Sequence, residues 1–227
     1  MQDTVEAALG AIAGAPVAAT CAGRTYSGVH ATEQIAHFDT DAERPASAWV
    51  RGVNAFLPES VAVLWAQPVD PAFHARYSAA SRTYRYRLLN RAVRPALAAR
   101  QVGWFHAPLR IEDMREAAAL LLGEHDFSAF RSAECQAKSP VRKVHEIQVE
   151  EKSEGRIDFV VRANAFLHHM VRNIVGTLIY VGKGSFSPLH VRDVLLSKDR
   201  SKAAPTFGPE GLYLEKVSYE AKWGLPQ

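Results

Sequence analysis

Val144-His-Glu-Ile-Gln-Val149, Ile157-Asp-Phe-Val-Val-Arg162 and Ala165-Phe-Leu-His-His-Met-Val-Arg-Asn-Ile-Val-Gly-Thr-Leu-Ile-Tyr-Val181 follow one another along a chain of 227 residues. The first two runs are short, rich in Val, Ile and Phe, and separated by Ser153-Glu-Gly155. That pattern predicts a hairpin in which Ile147 and Val149 share a face with Ile157, Phe159 and Val161. In the third run Phe166, Met170, Ile174 and Leu178 recur at i, i+4, as do Leu167, Val171, Val175 and Ile179. His168, His169, Arg172, Asn173 and Thr177 make the polar remainder, so an amphipathic helix is expected over residues 165–181. A hairpin followed by a long helix points to sheet and helices packed in layers, an α/β or α+β fold.

The rest of the chain fits that expectation. Asp3 and Glu6 stand where an N-cap and its N3 partner would open a helix running through Ile12 to a stop at Gly14. Residues 17–22, 34–40 and 61–67 read as strands, and Ser47 as the cap of a helix running towards Pro58. Over residues 83–89, Thr83, Arg85 and Arg87 alternate with Tyr84, Tyr86 and Leu88, the period of a strand with one apolar face. A helix is expected over 114–122 with Gly123 just past its end, another from Ser187-Pro188 through Leu196, and a last strand over 212–219. The pattern divides into two similar halves, residues 1–95 and 96–227, joined near Arg91 to Trp104.

Composition excludes several classes. Hydrophobic residues make up 48% and charged residues 22% of the chain, so a packed core is expected rather than disorder. The N-terminus lacks the basic segment of a signal peptide, and no apolar run is long enough to span a bilayer. Cys21 and Cys135 are far apart and lack redox or metal spacing, as expected of reduced thiols in a cytoplasmic protein. There is no Gly-rich phosphate loop, so no nucleotide cofactor is expected. Neither is a metal: adjacent side chains diverge on a helix, and nothing at i±4 completes a set around His168 and His169.

Charge is unevenly placed. Arg76, Arg82, Arg85, Arg87, Arg91, Arg94 and Arg100 form a stripe without an acid or a lysine, in a chain whose net charge is +3. A local basic stripe in a near-neutral protein suits a polyanion, and Arg suits phosphate. The alternative is an edge strand guarded by charge. The loop Cys21-Ala-Gly-Arg-Thr-Tyr-Ser-Gly-Val-His30 sets Arg24 and His30 around Tyr26, with Gly23 and Gly28 permitting a sharp turn. Such a loop is suited to stacking a base and holding a phosphate; the alternative is a surface loop with an incidental aromatic.

That loop is similar to the Gly-Arg-Thr-Asp-Ala-Gly-Val-His signature of the tRNA pseudouridine synthase A family. Phe73-His-Ala-Arg-Tyr-Ser-Ala79, Tyr84-Arg-Tyr86, Gly123-Glu-His-Asp-Phe-Ser-Ala-Phe130, the long run from Arg162 to Gly176, and Glu210-Gly-Leu-Tyr213 resemble further blocks of the family, in family order. The resemblance implies two ferredoxin-like halves around one mixed, largely antiparallel sheet with helices on one side. It implies a cofactor-free homodimer that isomerises uridine to pseudouridine at positions 38 to 40 of the tRNA anticodon stem-loop. The target nucleotide is flipped out of its stack. An aspartate attacks the nucleoside or abstracts a proton, and the freed uracil rotates and rejoins through carbon. Carried over by position, Arg24 would pair with that carboxylate and Tyr84 would stack on the uracil. Arg76, Arg82, Arg85 and His30 would contact the RNA, and Phe166, His169 and Arg172 would support the site.

The sequence departs from the family at the decisive position, where Tyr26 stands in place of the aspartate. A carboxylate with a pKa near 4 is ionised at neutral pH, whereas only about a thousandth of a phenol population is. Tyrosine is also bulkier and competes for the space a flipped uracil needs. Very low isomerase activity is therefore expected. By the resemblance, the sequence would start at the family's first helix, without the strand that usually precedes it. Glu33 stands where the family commonly has Gly; it reads as a solvated strand residue, with a relocated catalytic carboxylate as the alternative. Three readings follow: a weakened synthase, a tRNA-binding relative without turnover, or a damaged variant.

Overall fold

The computed structural model describes residues 1–226. They comprise helices α1 (Gln2–Ala13), α2 (Val53–Phe56), α3 (Ile111–Ala119), α4 (Met170–Gly182) and α5 (His190–Ser197). The strands are β1 (Ala19–Cys21), β2 (His30–Ala31), β3 (Ala36–Phe38), β4 (Ala79–Asn90), β5 (Gly103–Phe105), β6 (Gly123–Asp126), β7 (Val141–Glu151), β8 (Arg156–Ala163) and β9 (Leu212–Tyr219). Contacts group them into two units: residues 1–24, 35–79 and 219–226, and residues 25–34 and 80–218.

In the first unit β1 and β3 pair antiparallel, Thr20 opposite His37. Helix α1 ends at Gly14, whose φ of 78° lets its N–H return to the Gly10 carbonyl. The expected capping role of Glu6 is not seen. Its carboxylate accepts the Ala19 N–H at 3.0 Å and the Gln2 amide at 2.9 Å, tying the helix to β1. Ala8, Leu9, Val17, Ala19, Trp49 and Val53 form this unit's core. Trp49 lies in a π-helical turn, Ala48–Gly52, that leads into α2 without a side-chain cap from Ser47. The strand expected over 61–67 does not form. Asn54 instead takes both backbone groups of Val63, accepting from its N–H at 2.7 Å and donating to its carbonyl at 2.8 Å. A side-chain amide there substitutes for a neighbouring strand.

The second unit is built on a mixed sheet with strands in the order β2-β9-β4-β8-β7-β6, and β5 alongside β4. The pairs β2/β9 and β4/β5 are parallel; β4/β8, β7/β8 and β6/β7 are antiparallel. The hairpin forms as read, with Ile147 opposite Val161 and Val149 opposite Phe159. Its turn places Glu154 at φ 63° and Gly155 at φ 73°. One face of the sheet, carrying Tyr86, Leu88, Phe159, Val161 and Val149, packs on buried residues of α3, α4 and α5. All three helices of this unit therefore cover the same face. Gly123 begins β6, with φ 97°, instead of capping α3, which starts and ends earlier than expected. Helix α5 begins at His190, later than expected and without a cap from Ser187.

The main correction concerns α4. It starts at Met170, and His169 lies before it in the left-handed region at φ 62°. Residues 165–169 are an irregular approach to the helix. Asn173 and Thr177, expected on a polar face, are fully buried. Their side chains bond inward: Asn173 Nδ2 donates to the Phe130 carbonyl at 2.7 Å and Thr177 Oγ1 to the Asn173 carbonyl at 2.8 Å.

Candidate active site

The signature loop enters the second unit at Thr25. The Val29 N–H donates to the Tyr26 carbonyl at 3.0 Å, closing a turn whose third residue, Gly28, has φ 78°. That position of such a turn requires a residue at ease with positive φ. The space also requires glycine, since a Cβ there would fall 2.8 Å from Pro209 Cγ. The turn holds Tyr26 with 43% of its surface exposed.

Tyr26 meets the irregular approach to α4. Its ring lies 4.3 Å from His168 and 6.2 Å from His169, and the two imidazoles are 3.9 Å apart. The left-handed conformation of His169 is what turns the chain so that both rings come to one place. The backbone N–H of His168 donates to Cys135 Sγ at 3.4 Å, and its carbonyl accepts the Ser132 N–H at 2.9 Å. His168 Nε2 is buried without a hydrogen-bond partner. Burial, with help from Arg172 and His168, pulls the His169 pKa down to about 4, so this imidazole is neutral at pH 7.

Tyr84 lies on β4, half-buried, with its ring edge-on to Phe166 at 4.9 Å. Burial pushes its phenol up to about 12; Arg82 opposes the shift and Tyr26 adds to it. Arg82 and Tyr26 are thus close enough to act on the Tyr84 phenol. Arg82 is 8% exposed and donates to the Asn164 carbonyl at 3.2 Å. Arg172, next along from the His pair, donates from Nε to the Phe207 carbonyl at 2.7 Å. The site therefore presents aromatic rings, a neutral imidazole, the buried Arg82 and the half-buried Arg172. No carboxylate is hydrogen-bonded to Tyr26, His168 or His169 among the described residues, and no cluster that could hold a metal ion occurs among them.

The other residues singled out from sequence have surroundings of their own. Arg24 and Arg76 belong to the first unit, and both are exposed. His30 Nε2 pairs with the Arg100 carbonyl at 2.8 Å, and its ring stacks on Tyr213 at 4.7 Å. Arg85 projects from the opposite face of β4 to Tyr84, where three carboxylates surround it: Glu215 at 2.7 Å, Asp158 at 3.1 Å and Glu150 at 3.2 Å. Its charge is thus matched by neighbours brought from β7, β8 and β9. Glu33 is not a solvated strand residue: its carboxylate accepts the Val217 N–H at 2.9 Å. The residue that sequence reasoning passed over is His168. The doubled histidine was a visible signal, but placing it on a helix sent the two rings apart.

The sequence pattern described as tRNA pseudouridine synthase matches residues 1–78 and 117–220. The Tyr26 loop and the approach to α4 fall inside the match, while Tyr84 and Arg82 on β4 lie outside it. The chain is 59% identical to the tRNA pseudouridine synthase A of Dechloromonas aromatica over 226 residues, covering all of this chain and 86% of that protein. It is 54% identical to the tRNA pseudouridine synthase A of Methylobacillus flagellatus over 226 residues, again all of this chain and 86% of the relative. With the tRNA pseudouridine synthase A of Herminiimonas arsenicoxydans it shares 56% identity over 231 residues, all of this chain and 84% of the relative.

Proposed function

The chain belongs to the tRNA pseudouridine synthase family, and on that footing we propose that it isomerises uridine to pseudouridine in the tRNA anticodon stem-loop, at positions 38 to 40, at a rate held down by Tyr26. The observation that carries the reading is the seating of the signature loop. Its turn brings residue 26 against His168, in the neighbourhood of Tyr84. A carboxylate at that position would face the same space. A flipped uracil would stack on Tyr84, with Arg82 beside it. Residues 1–95 and 96–227 would be the related halves of the fold, and a cytoplasmic homodimer the working form.

A second reading, a tRNA-binding relative without turnover, is favoured by one specific observation: Tyr26 itself. Its side chain is not the carboxylate of the family signature, and its ring already lies against His168. The two readings separate in one experiment, using tRNA that carries tritium at C5 of its uridines. Isomerisation must exchange that hydrogen. Retention of the tRNA on a filter with slow release of tritium supports the weakened synthase. Retention with no release supports the binding relative. Failure to retain tRNA at low salt overturns both.

A further inference from the structure

The first unit carries an aromatic surface that the Tyr26 site does not use. Phe73-His-Ala-Arg-Tyr-Ser78 forms a tight turn in which the Ser78 N–H donates to the His74 carbonyl at 2.8 Å and the His74 N–H to Ser78 Oγ at 3.0 Å. His74 Nδ1 accepts the backbone N–H groups of both Arg76 and Tyr77 at 3.2 Å. The neutral ring must therefore carry its proton on Nε2, and its orientation is fixed by the turn. Tyr77 lies against this fixed imidazole with ring centroids 4.2 Å apart.

The brace extends inward. His37 lies 4.7 Å from His74, and its Nδ1 accepts the Ala75 N–H at 3.2 Å. The Ala75 carbonyl accepts the Tyr219 hydroxyl at 2.6 Å, and Phe73 packs 5.2 Å from Tyr219 and 5.3 Å from Trp223. Phe73 and Ala75 are buried, yet Tyr77, two residues on, is 78% exposed. An aromatic ring this exposed adds little to the unit's own stability. What it provides is a flat π surface held by a rigid base, with one face taken by His74 and the rest in solvent.

We propose that Tyr77, braced by His74, is a stacking platform for an unpaired nucleobase of tRNA, separate from the surface offered by Tyr84. Arg76, exposed and adjacent in the chain, is placed to meet the phosphate beside that base. Stacking on a preorganised aromatic is the sequence-tolerant way to hold a splayed-out base, and a neighbouring arginine is the usual partner for its backbone. The proposal rests on the tRNA-binding reading above, and the test is built so that the two fail differently.

The test measures the Kd of fluorescein-labelled, unmodified tRNA for the native chain and for Tyr77→Phe, Tyr77→Leu and Tyr77→Ala. Thermal melting of each variant checks that the unit is intact, which the exposure of Tyr77 favours. Tyr77→Phe should bind within about twofold of native, because the ring is kept. Tyr77→Ala and Tyr77→Leu should each bind roughly tenfold more weakly, a loss in the range measured for one stacked base. An alanine variant with the native Kd overturns the platform and leaves tRNA binding standing. A leucine variant that binds like phenylalanine also overturns it, since bulk alone would then suffice. A native chain that does not bind tRNA at low salt sinks the tRNA reading and this proposal with it.

Discussion

The ring of Tyr26 lies 4.3 Å from that of His168, centroid to centroid, tilted by 37°. This contact joins two segments that are far apart in sequence, the turn pinned by Gly28 against Pro209 and the irregular approach to α4. The position of the second segment depends on what anchors the start of that helix. Asn173 is the anchor. Its N–H returns to the His169 carbonyl at 2.9 Å, its Nδ2 reaches Phe130, and its Oδ1 accepts Thr206 Oγ1 at 2.7 Å and Arg200 Nη2 at 3.1 Å.

Replacing that anchor should be costly. Asn173→Ala leaves the Phe130 carbonyl without its side-chain donor and removes an acceptor of Arg200 in a fully buried site. Unsatisfied buried polar groups cost about 1–3 kcal/mol each, so a loss of roughly 3 kcal/mol is expected in urea unfolding. A loss below about 1 kcal/mol would mean that Arg200 and Phe130 find other partners.

Arg85 separates stability from RNA binding. With its side chain 21% exposed and three carboxylates around it, Arg85→Gln should destabilise the chain by roughly 3 kcal/mol. Its effect on tRNA affinity should stay within about twofold, or about 0.4 kcal/mol. The Glu150 carboxyl is held below its usual value by Lys152 and Arg85. A depressed carboxylate contributes stability above the unfolded pKa, near 4.5. That contribution is lost as pH falls through the lower folded value. Glu150→Gln should therefore melt below native at pH 7 and converge with it in acid. A gap that persists well below the folded pKa would point to packing instead of charge.

How far the sequence speaks is clear from particular elements. The hairpin and the last strand were legible because their alternation is local and its register follows from one short turn. The start of α4 was not, because residues 166–169 keep a helical hydrophobic period while the backbone leaves the helix at His169. The fate of Arg85 was hidden for a different reason. The stripe from Arg76 to Arg100 contains no acid, and the three carboxylates that meet Arg85 arrive from β7, β8 and β9, through pairing that no local pattern prints. The strand misread over 61–67 failed similarly: its apolar residues look like a strand, but Asn54 satisfies Val63 in place of a neighbour. At the site, Tyr26 and Tyr84 were singled out from sequence, whereas His168 required the fold.

Binding of tRNA should weaken steeply with salt. Each phosphate neutralised by an arginine contributes a slope of about −0.9 for duplex nucleic acid in a plot of log affinity against log salt. Arg76 is exposed, so Arg76→Gln should flatten that slope by about one contact's share. Filter binding across a salt series makes the measurement. A slope near zero for the native chain would remove phosphate contact as the basis of recognition.

Tyr84 should matter through its ring. It is half-buried against Phe166, and its phenol, pushed up to about 12, stays protonated across the physiological range. Tyr84→Leu keeps an apolar side chain on β4 and removes the stacking face. A loss of about 1–3 kcal/mol in stem-loop affinity is expected, with unfolding changed little. If stem-loop affinity is unchanged while the melting temperature drops, Tyr84 is core and not platform.

The decisive substitution is Tyr26→Asp. The turn at Gly28 is in place, Tyr84 offers its ring, and His169 is neutral at pH 7. What the site lacks at residue 26 is a carboxylate, together with the room its smaller side chain would leave beside His168. Tyr26→Asp supplies there the carboxylate of the family signature. Tritium release from C5-labelled tRNA should therefore rise by about 10²–10⁴-fold, the worth of a positioned acid–base group, or from background to a measurable rate. Tyr26→Ala relieves the bulk without supplying the carboxylate, so it should bind the stem-loop at least as well as native and release tritium no faster than native. Robust release from the native chain would show that Tyr26, or another group such as Glu33, performs the chemistry. Release from Tyr26→Ala matching that of Tyr26→Asp would show instead that space at residue 26, and not charge, is what holds the reaction back.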